Sequence, residues 1–451
     1  MSRVPLSSDQ IQALSPDAAS TKAARGLVAP AKWPLLGASD HAVWGECQGS
    51  GSKPYQTQVD VSGAGPTFRC SCPSRKSPCK HGLALLFLQA QDEKIFTAPV
   101  PAWTSEWLAS RKDRAEKKEA KADAVTLVNP AASAKREAQR VKRVTAGAQE
   151  LALWLEDTSR KGLATLSESD DEGWRTMAAR MVDAQAPGLG QRLTQAMAVV
   201  GQGSDWPSRL LARLGKLQLL VDAVAHPERL TSALQADMQQ AIGWPLERDE
   251  VLASGERVSD QWQVVAQVRV ESDARLTERR VWLQGINTQR SALLIDFSFG
   301  GKPFEPGWIT GVQQTCTLAF YPGTAPLRAL LADINPSDES AALTSVVPPV
   351  RDSLSEWTSL AANPWGSLWP LWLGDAQLQH TSESHTPWQL QFDNRAWPLS
   401  IVDADAWLLM AFSGGNSMAV FGEWTGEALR PLTAWNTAGQ WTATTATGDR
   451  Q

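Results

Sequence analysis

One short string constrains this chain more than any other feature: Phe68-Arg-Cys70-Ser-Cys72-Pro-Ser-Arg-Lys-Ser-Pro-Cys79-Lys-His81-Gly82. It reads C-x-C-x6-C-x-H and gathers three of the five cysteines and one of the five histidines. In an extended strand, residues two apart face the same side, so Cys70 and Cys72 can both offer sulfur to one ion. The following loop, kinked by Pro73 and Pro78, folds back to bring Cys79 and His81 to the other side. Three thiolates and one imidazole satisfy the tetrahedral preference of Zn²⁺. Four protein ligands leave no open position for water or substrate, so the site reads as structural, with no catalytic role. The opposing reading, three buried free cysteines and a chance histidine, is disfavoured by their concentration beside prolines and the absence of acids. Arg69, Arg75, Lys76 and Lys80 lie close enough in sequence to offset the excess negative charge of the thiolates and to favour their ionised form.

The odd cysteine count argues against a disulfide scaffold. Cys47 and Cys316 are isolated and read as small buried side chains. His41, His226, His380 and His385 have no ligand partner at a recognisable spacing.

With an apolar stretch behind it, the string resembles the SWIM zinc-finger family, and all four ligand positions match: Cys70, Cys72, Cys79 and His81. The longer segments WGECQGSGSKPYQTQVDVSG and FRCSCPSRKSPCKHGLALLFL resemble its bacterial stand-alone members. AARMVDAQAPGLGQRL, residues 178–193, extends the resemblance to about residue 200. The resemblance implies a ββα unit, one bound zinc, and a role in binding DNA or other proteins. Such bacterial members are often encoded beside AAA+ ATPases and von Willebrand factor A-domain proteins, which implies a chaperone-like or metal-insertion assembly. Other members join the finger to helicase-type ATPases or transposases, but no G-x-x-x-x-G-K-[ST] occurs here, so no intrinsic ATPase of that class is expected.

The expected architecture is multidomain α+β: a small N-terminal ββα zinc-finger domain, a helical middle domain and a mostly antiparallel β C-terminal domain. Residues 1–100 form the finger domain, with a hairpin through Gly49–Ser52, a third extended piece at Thr67–Cys72 and a largely buried helix over HGLALLFLQA. Residues 101–147 form a charged linker, compatible with a solvated helix carrying the pairs Lys112–Glu116, Asp113–Lys117 and Glu137–Arg140, or with partial disorder. Residues 148–248 repeat the helical period and predict a bundle of four to six helices. Beyond 249 the period becomes two. Trp262, Val264, Ala266, Val268 and Val270 alternate with polar residues, interrupted on the polar face only by Val265, and predict a half-buried strand. Trp407–Phe412 and Met418–Trp424 are read as strands joined around Ser413–Asn416.

Composition sets the function classes. At 43% hydrophobic and 20% charged the 451-residue chain is not disordered throughout. Its longest apolar run, Ala406–Phe412, is far short of the ~20 residues that span a bilayer, and no secretory signal is apparent, so a cytoplasmic location is expected. A net charge of −5 gives no global push toward nucleic acid, although residues 61–91 hold four bases and no acid. The 21 tryptophans include Trp357, Trp365, Trp369 and Trp372 around Pro364 and Pro370, read mainly as core and secondarily as a recognition surface. With no H-E-x-x-H, G-x-S-x-G or phosphate loop, no enzymatic activity is expected. The function expected is a protein-interaction adaptor in a larger assembly, with nucleic-acid binding through the finger and basic linker as the alternative.

Overall fold

The computed structural model describes residues 6–16, 18–49, 53–62, 66–74, 76–123, 130–167, 171–244, 246–273, 276–299, 304, 307–334, 361–381 and 387–443. Two short helices, α1 (Ser8–Ala13) and α2 (Ala18–Arg25), precede a four-stranded antiparallel sheet of β1 (Leu35–Ala38), β2 (Ala42–Cys47), β3 (Tyr55–Asp60) and β4 (Thr67–Cys70), in sequence order. The expected hairpin is present: Cys47 pairs with Tyr55 at the end of β2 and β3. The helix α3 (Lys80–Gln91) then lies on the sheet with every residue from His81 to Leu88 buried, because both of its sides are covered. The sheet supplies Val43 and Val59, and the short helices supply Ile11, Leu14 and Ala24.

Strand alternation divides the sheet into two faces. Thr57 opposite Cys70 and Val59 opposite Phe68 face α3, whereas Gln58 opposite Arg69 and Asp60 opposite Thr67 face away. That second face is met by α4 (Ala102–Asp123). Its Thr104 and Trp107 are buried, and Arg111 donates to Asp60 Oδ2 at 2.8 Å and to Thr67 Oγ1 at 3.3 Å. The first part of the stretch expected to be a linker is therefore a helix docked on the finger. The next helix, α5 (Pro130–Lys161), runs unbroken across the 147/148 division. The side chains of Lys112, Glu116 and Lys117 lie outside the described residues.

The helical core follows the expected period. It comprises α5, α6 (Asp171–Asp183), α7 (Pro187–Met197), α8 (Trp206–Ala225) and α9 (Ser232–Ala241), packed through Leu151, Met181, Leu193, Leu210 and Leu217. A short α10 (Arg248–Ser254) leads into the strands.

The C-terminal half contains two sheets. β5 (Glu256–Asp273), β6 (Leu276–Gly285), β7 (Ser291–Phe299), β8 (Gln313–Phe320) and β9 (Arg328–Ile334) close a barrel in the order β5-β6-β7-β9-β8, antiparallel except for β7 with β9. β10 (Trp369–His380), β11 (Trp388–Phe392), β12 (Arg395–Pro398), β13 (Met418–Trp424), β14 (Leu429–Asn436) and β15 (Gly439–Thr442) form an antiparallel sheet, β12-β11-β10-β13-β14-β15.

Two sequence readings are corrected here. Residues 407–412 belong to a helix, α11 (Asp403–Ser413). An all-apolar run carries no alternation to identify a strand, and this one has helix signals at both ends: Asp403 and Asp405 in the first turn, and Gly414 left-handed at φ 57° after the last. Along β5, the apolar residues do not share one face. A β-bulge at Val265 shifts the register between Val264 and Ala266, so Trp262 and Val264 fill the barrel while Val265, Ala266 and Val268 pack outward against Trp372, Phe421 and Trp435 of the neighbouring sheet. Thr433 Oγ1 caps the bulge by donating to the Val265 carbonyl at 2.7 Å. Trp365, Trp369 and Trp372 are buried, as the core reading expects, and Trp357 lies outside the described residues.

Candidate metal centre

The four sequence-predicted ligands converge. Cys70 ends β4, Cys72 follows it by two residues, Cys79 is the N-cap of α3 and His81 lies in that helix's first turn. Their donor atoms all lie within 4.8 Å of one another. A zinc ion with ~2.3 Å bonds to sulfur would separate two thiolates by about 3.8 Å, so the donors need to draw together by no more than about an ångström. Cys70 Sγ and His81 Nδ1 are already 3.8 Å apart.

Local structure holds the donors in place. Ser71 extends the strand pairing past Cys70: its amide donates to the Gln56 carbonyl, and the Gln56 amide donates to Ser71 Oγ, both at 2.9 Å. Thr57 Oγ1 lies 3.2 Å from Cys70 Sγ, and the Tyr55 ring packs against the His81 imidazole with centroids 4.9 Å apart. Pro78, after a cis Ser77–Pro78 peptide, is buried immediately before Cys79.

Without metal the donors compete for protons. Hydrogen bonding to Cys72 and Cys79, aided by burial, pushes the Cys70 thiol up. Contact with Cys70 and Cys79 brings Cys72 down against its own burial. Burial opposes the charged form of His81, but its hydrogen bonds to Cys72 and Cys79 outweigh that and raise it to about 9. A dication placed among these groups replaces the shared protons with a stronger common partner. Three sulfurs and one nitrogen, two donors buried and two half-buried, fit one structural zinc ion.

The remaining candidates divide by place. Lys76 and Lys80 are exposed on the zinc-side loop and helix start, while Arg69 is exposed on the opposite face of the sheet, and Arg75 lies outside the described residues. The basic residues placed here thus do not form one stripe. Cys47 is buried in the finger core and Cys316 in the barrel, where burial pushes its thiol up to about 12. His41 is exposed and His226 sits 3.5 Å from Glu228, while His385 lies outside the described residues.

The family model of the SWIM zinc finger matches residues 55–89, spanning β3, β4, all four donors and most of α3. The chain carries a SWIM zinc finger. The model of the SWIM-associated four-helix bundle domain matches residues 139–242, which covers the later part of α5 through α9 and includes the segment 178–193. No curated protein and no solved structure matches the chain. The SWIM finger is not isolated in the fold. Ile309, from the loop before β8, is buried in the finger's own core, and Gly307 lies against the Pro66 carbonyl, where a Cβ would approach to 2.4 Å.

One surface feature escaped the sequence reading. Val402, Trp407 and Leu408 are each more than half exposed on and beside α11. Trp407 stacks on His380 at 6.0 Å and meets Trp388 edge-on at 4.9 Å. Read as a strand, residues 407–412 would alternate their exposure; only the helix places Trp407 and Leu408 together outside. Among the described residues, no helix is long and apolar enough to cross a membrane.

Proposed function

We propose that the chain is a non-catalytic adaptor whose zinc finger is a structural clamp and whose surface recruits protein partners within a larger assembly. The observation that carries this reading is the donor set: four protein ligands complete a tetrahedral ion and leave nowhere for a substrate to coordinate. The exposed apolar side chains of Val402, Trp407 and Leu408 on and beside α11 support it, since exposed large apolar groups are available to a partner. By family resemblance, the partners proposed are an AAA+ ATPase or a von Willebrand factor A-domain protein, met in the cytoplasm.

The test is affinity purification from the native host with mass spectrometry, comparing the wild type with Trp407→Ala/Leu408→Ala. A specific partner lost on the double substitution, with melting unchanged, supports the adaptor. Recovery of nothing above background counts against it.

Nucleic-acid binding through Arg69, Lys76 and Lys80 is the second reading, drawn from their exposure. It requires affinity that falls steeply with salt and weakens on Lys76→Ala with Lys80→Ala. The placement of Arg69 behind the sheet favours the adaptor.

A further inference from the structure

The bulge at Val265 has a chemical result at one mouth of the barrel. Before it, even-numbered residues of β5 point inward; after it, the odd-numbered ones do, which brings Gln267 and Arg269 to the inner side. On β6 the inward set is Val281 and Leu283, and Arg279 continues it to the same end. Arg269 and Arg279 are direct cross-strand partners. They share the Phe304 ring, their guanidinium carbons 5.8 and 4.8 Å from its centroid. Both line a cavity of about 120 Å³ that the zinc finger closes with Pro66–Phe68 and the Ser77–Pro78 turn.

Like charges placed opposite each other across a strand pair destabilise it, and burial compounds the cost here. Each guanidinium is held below its ordinary range, chiefly by burial, and Arg269 further by Arg279. The one described carboxylate on the pair, Asp296, bonds to Arg279 at 2.5 Å. Arg269 has no ion pair or side-chain hydrogen bond among the described residues. Among the described residues, the mouth holds two guanidinium groups and one carboxylate. Beside them the Gln267 amide donates to the Trp308 carbonyl at 2.9 Å and to Thr310 Oγ1 at 3.5 Å, which leaves the Thr310 hydroxyl as a further donor.

We propose that this mouth is an oxyanion site that takes a phosphate group, either inorganic phosphate or the phosphate of a small monoester. A phosphate offers several acceptor oxygens and, as a dianion, no donor, which matches a wall of two guanidinium groups and a hydroxyl. A guanidinium fork binds it with two parallel hydrogen bonds. The cavity has space for several waters, which suits a phosphoryl group, and a larger monoester extends toward the finger side. Because finger residues form part of the wall, occupancy would tie the zinc module to the barrel.

The test uses the zinc-loaded full chain in chloride buffer, titrated calorimetrically with inorganic phosphate and, separately, with a nucleoside 5′-monophosphate. One site for at least one probe is expected. Comparable affinities indicate free phosphate as the source; binding of the nucleotide alone indicates a monoester. Arg269→Gln should weaken binding roughly tenfold or more, the loss of a charge-assisted hydrogen bond. It should leave zinc content unchanged, and it should melt no lower than the wild type in the absence of phosphate, because it relieves the repulsion from Arg279. Arg269→Lys, which keeps the charge and loses the fork, should fall between. Absence of binding by the wild type to both probes, or wild-type affinity in Arg269→Gln, overturns the proposal.

Discussion

Gly82 presses against Phe68: a Cβ built on the glycine would sit 2.7 Å from Phe68 Cδ1. The contact lies one residue after the ligand His81 and two before the ligand Cys70, so it sets how closely α3 approaches β4 and with it the span of the metal site. In an ordinary helix, alanine in place of glycine stabilises by about 1 kcal/mol. At Gly82 the added methyl must displace a half-buried ring, so Gly82→Ala should lower the melting temperature and speed zinc loss to a chelator. Gly215, on an exposed side of α8 with no atom within 4 Å of a built Cβ, is the control. Gly215→Ala should raise the melting temperature slightly, and equal effects at the two positions would contradict this account.

Replacing a ligand should be far more severe. A structural zinc contributes an apparent ~10–16 kcal/mol in small fingers at neutral pH, more than the whole net stability of many domains. Cys72→Ser or His81→Ala should abolish stoichiometric zinc in elemental assay and melt the finger at moderate temperature. Since Ile309 of the barrel loop is part of the finger core, the barrel's own unfolding midpoint should also fall, read in urea by near-ultraviolet circular dichroism.

The pH response should differ with and without metal. His81 in the metal-free fold is raised from 6.5 to about 9. Its protonated form therefore stabilises that fold fully below about pH 6.5, and the contribution is lost as pH rises toward 9. Zinc requires the neutral imidazole, so zinc binding expels this proton and weakens as pH falls below about 9. The Cys72 thiol, brought down in the same fold, contributes with the opposite sign over this window, so melting of the metal-free chain should change little from pH 6 to 9 while zinc retention against a fixed chelator improves.

Glu423 joins barrel to sheet. Only 1% of its side chain is exposed, and it accepts from Arg280 Nη1 at 3.0 Å and Trp282 Nε1 at 2.9 Å. Removing Glu423 leaves Arg280 paired with Glu278 at 2.5 Å but strands the buried Trp282 N–H, a loss of about 1–3 kcal/mol. Glu423→Ala should lower stability by that order in urea titration. Asp333→Ala, which breaks an exposed pair with Arg257, should cost less than about 1 kcal/mol.

The metal site was legible because its chemistry is local: four donors within twelve residues, on a strand end and a helix start, need little beyond the loop to meet. The buried α3 was legible for the related reason that a segment apolar on every side has to be covered on every side. Long periodic helices between 148 and 245 were legible from spacing alone. By contrast, α11 was hidden in a run whose apolar residues leave no period to read. The signals that mark it stand at its ends, in Asp403, Asp405 and Gly414, and the helix they bound is what exposes Trp407. The basic residues around the finger look like one cluster in sequence, but strand alternation sends Arg69 to the face opposite Cys70.

Val265 shows the division most plainly. In the sequence it is one apolar residue on a polar face; in the fold it is a bulge that turns β5 inside out midway, seating Arg269 beside Arg279. The sequence by itself determined the donor set, the helical period and the alternation of the strands, because each depends on neighbours a few residues apart. The tertiary structure alone decided which faces met, where the alternation broke and which charges came to stand together, because those outcomes depend on surfaces contributed by distant parts of the chain.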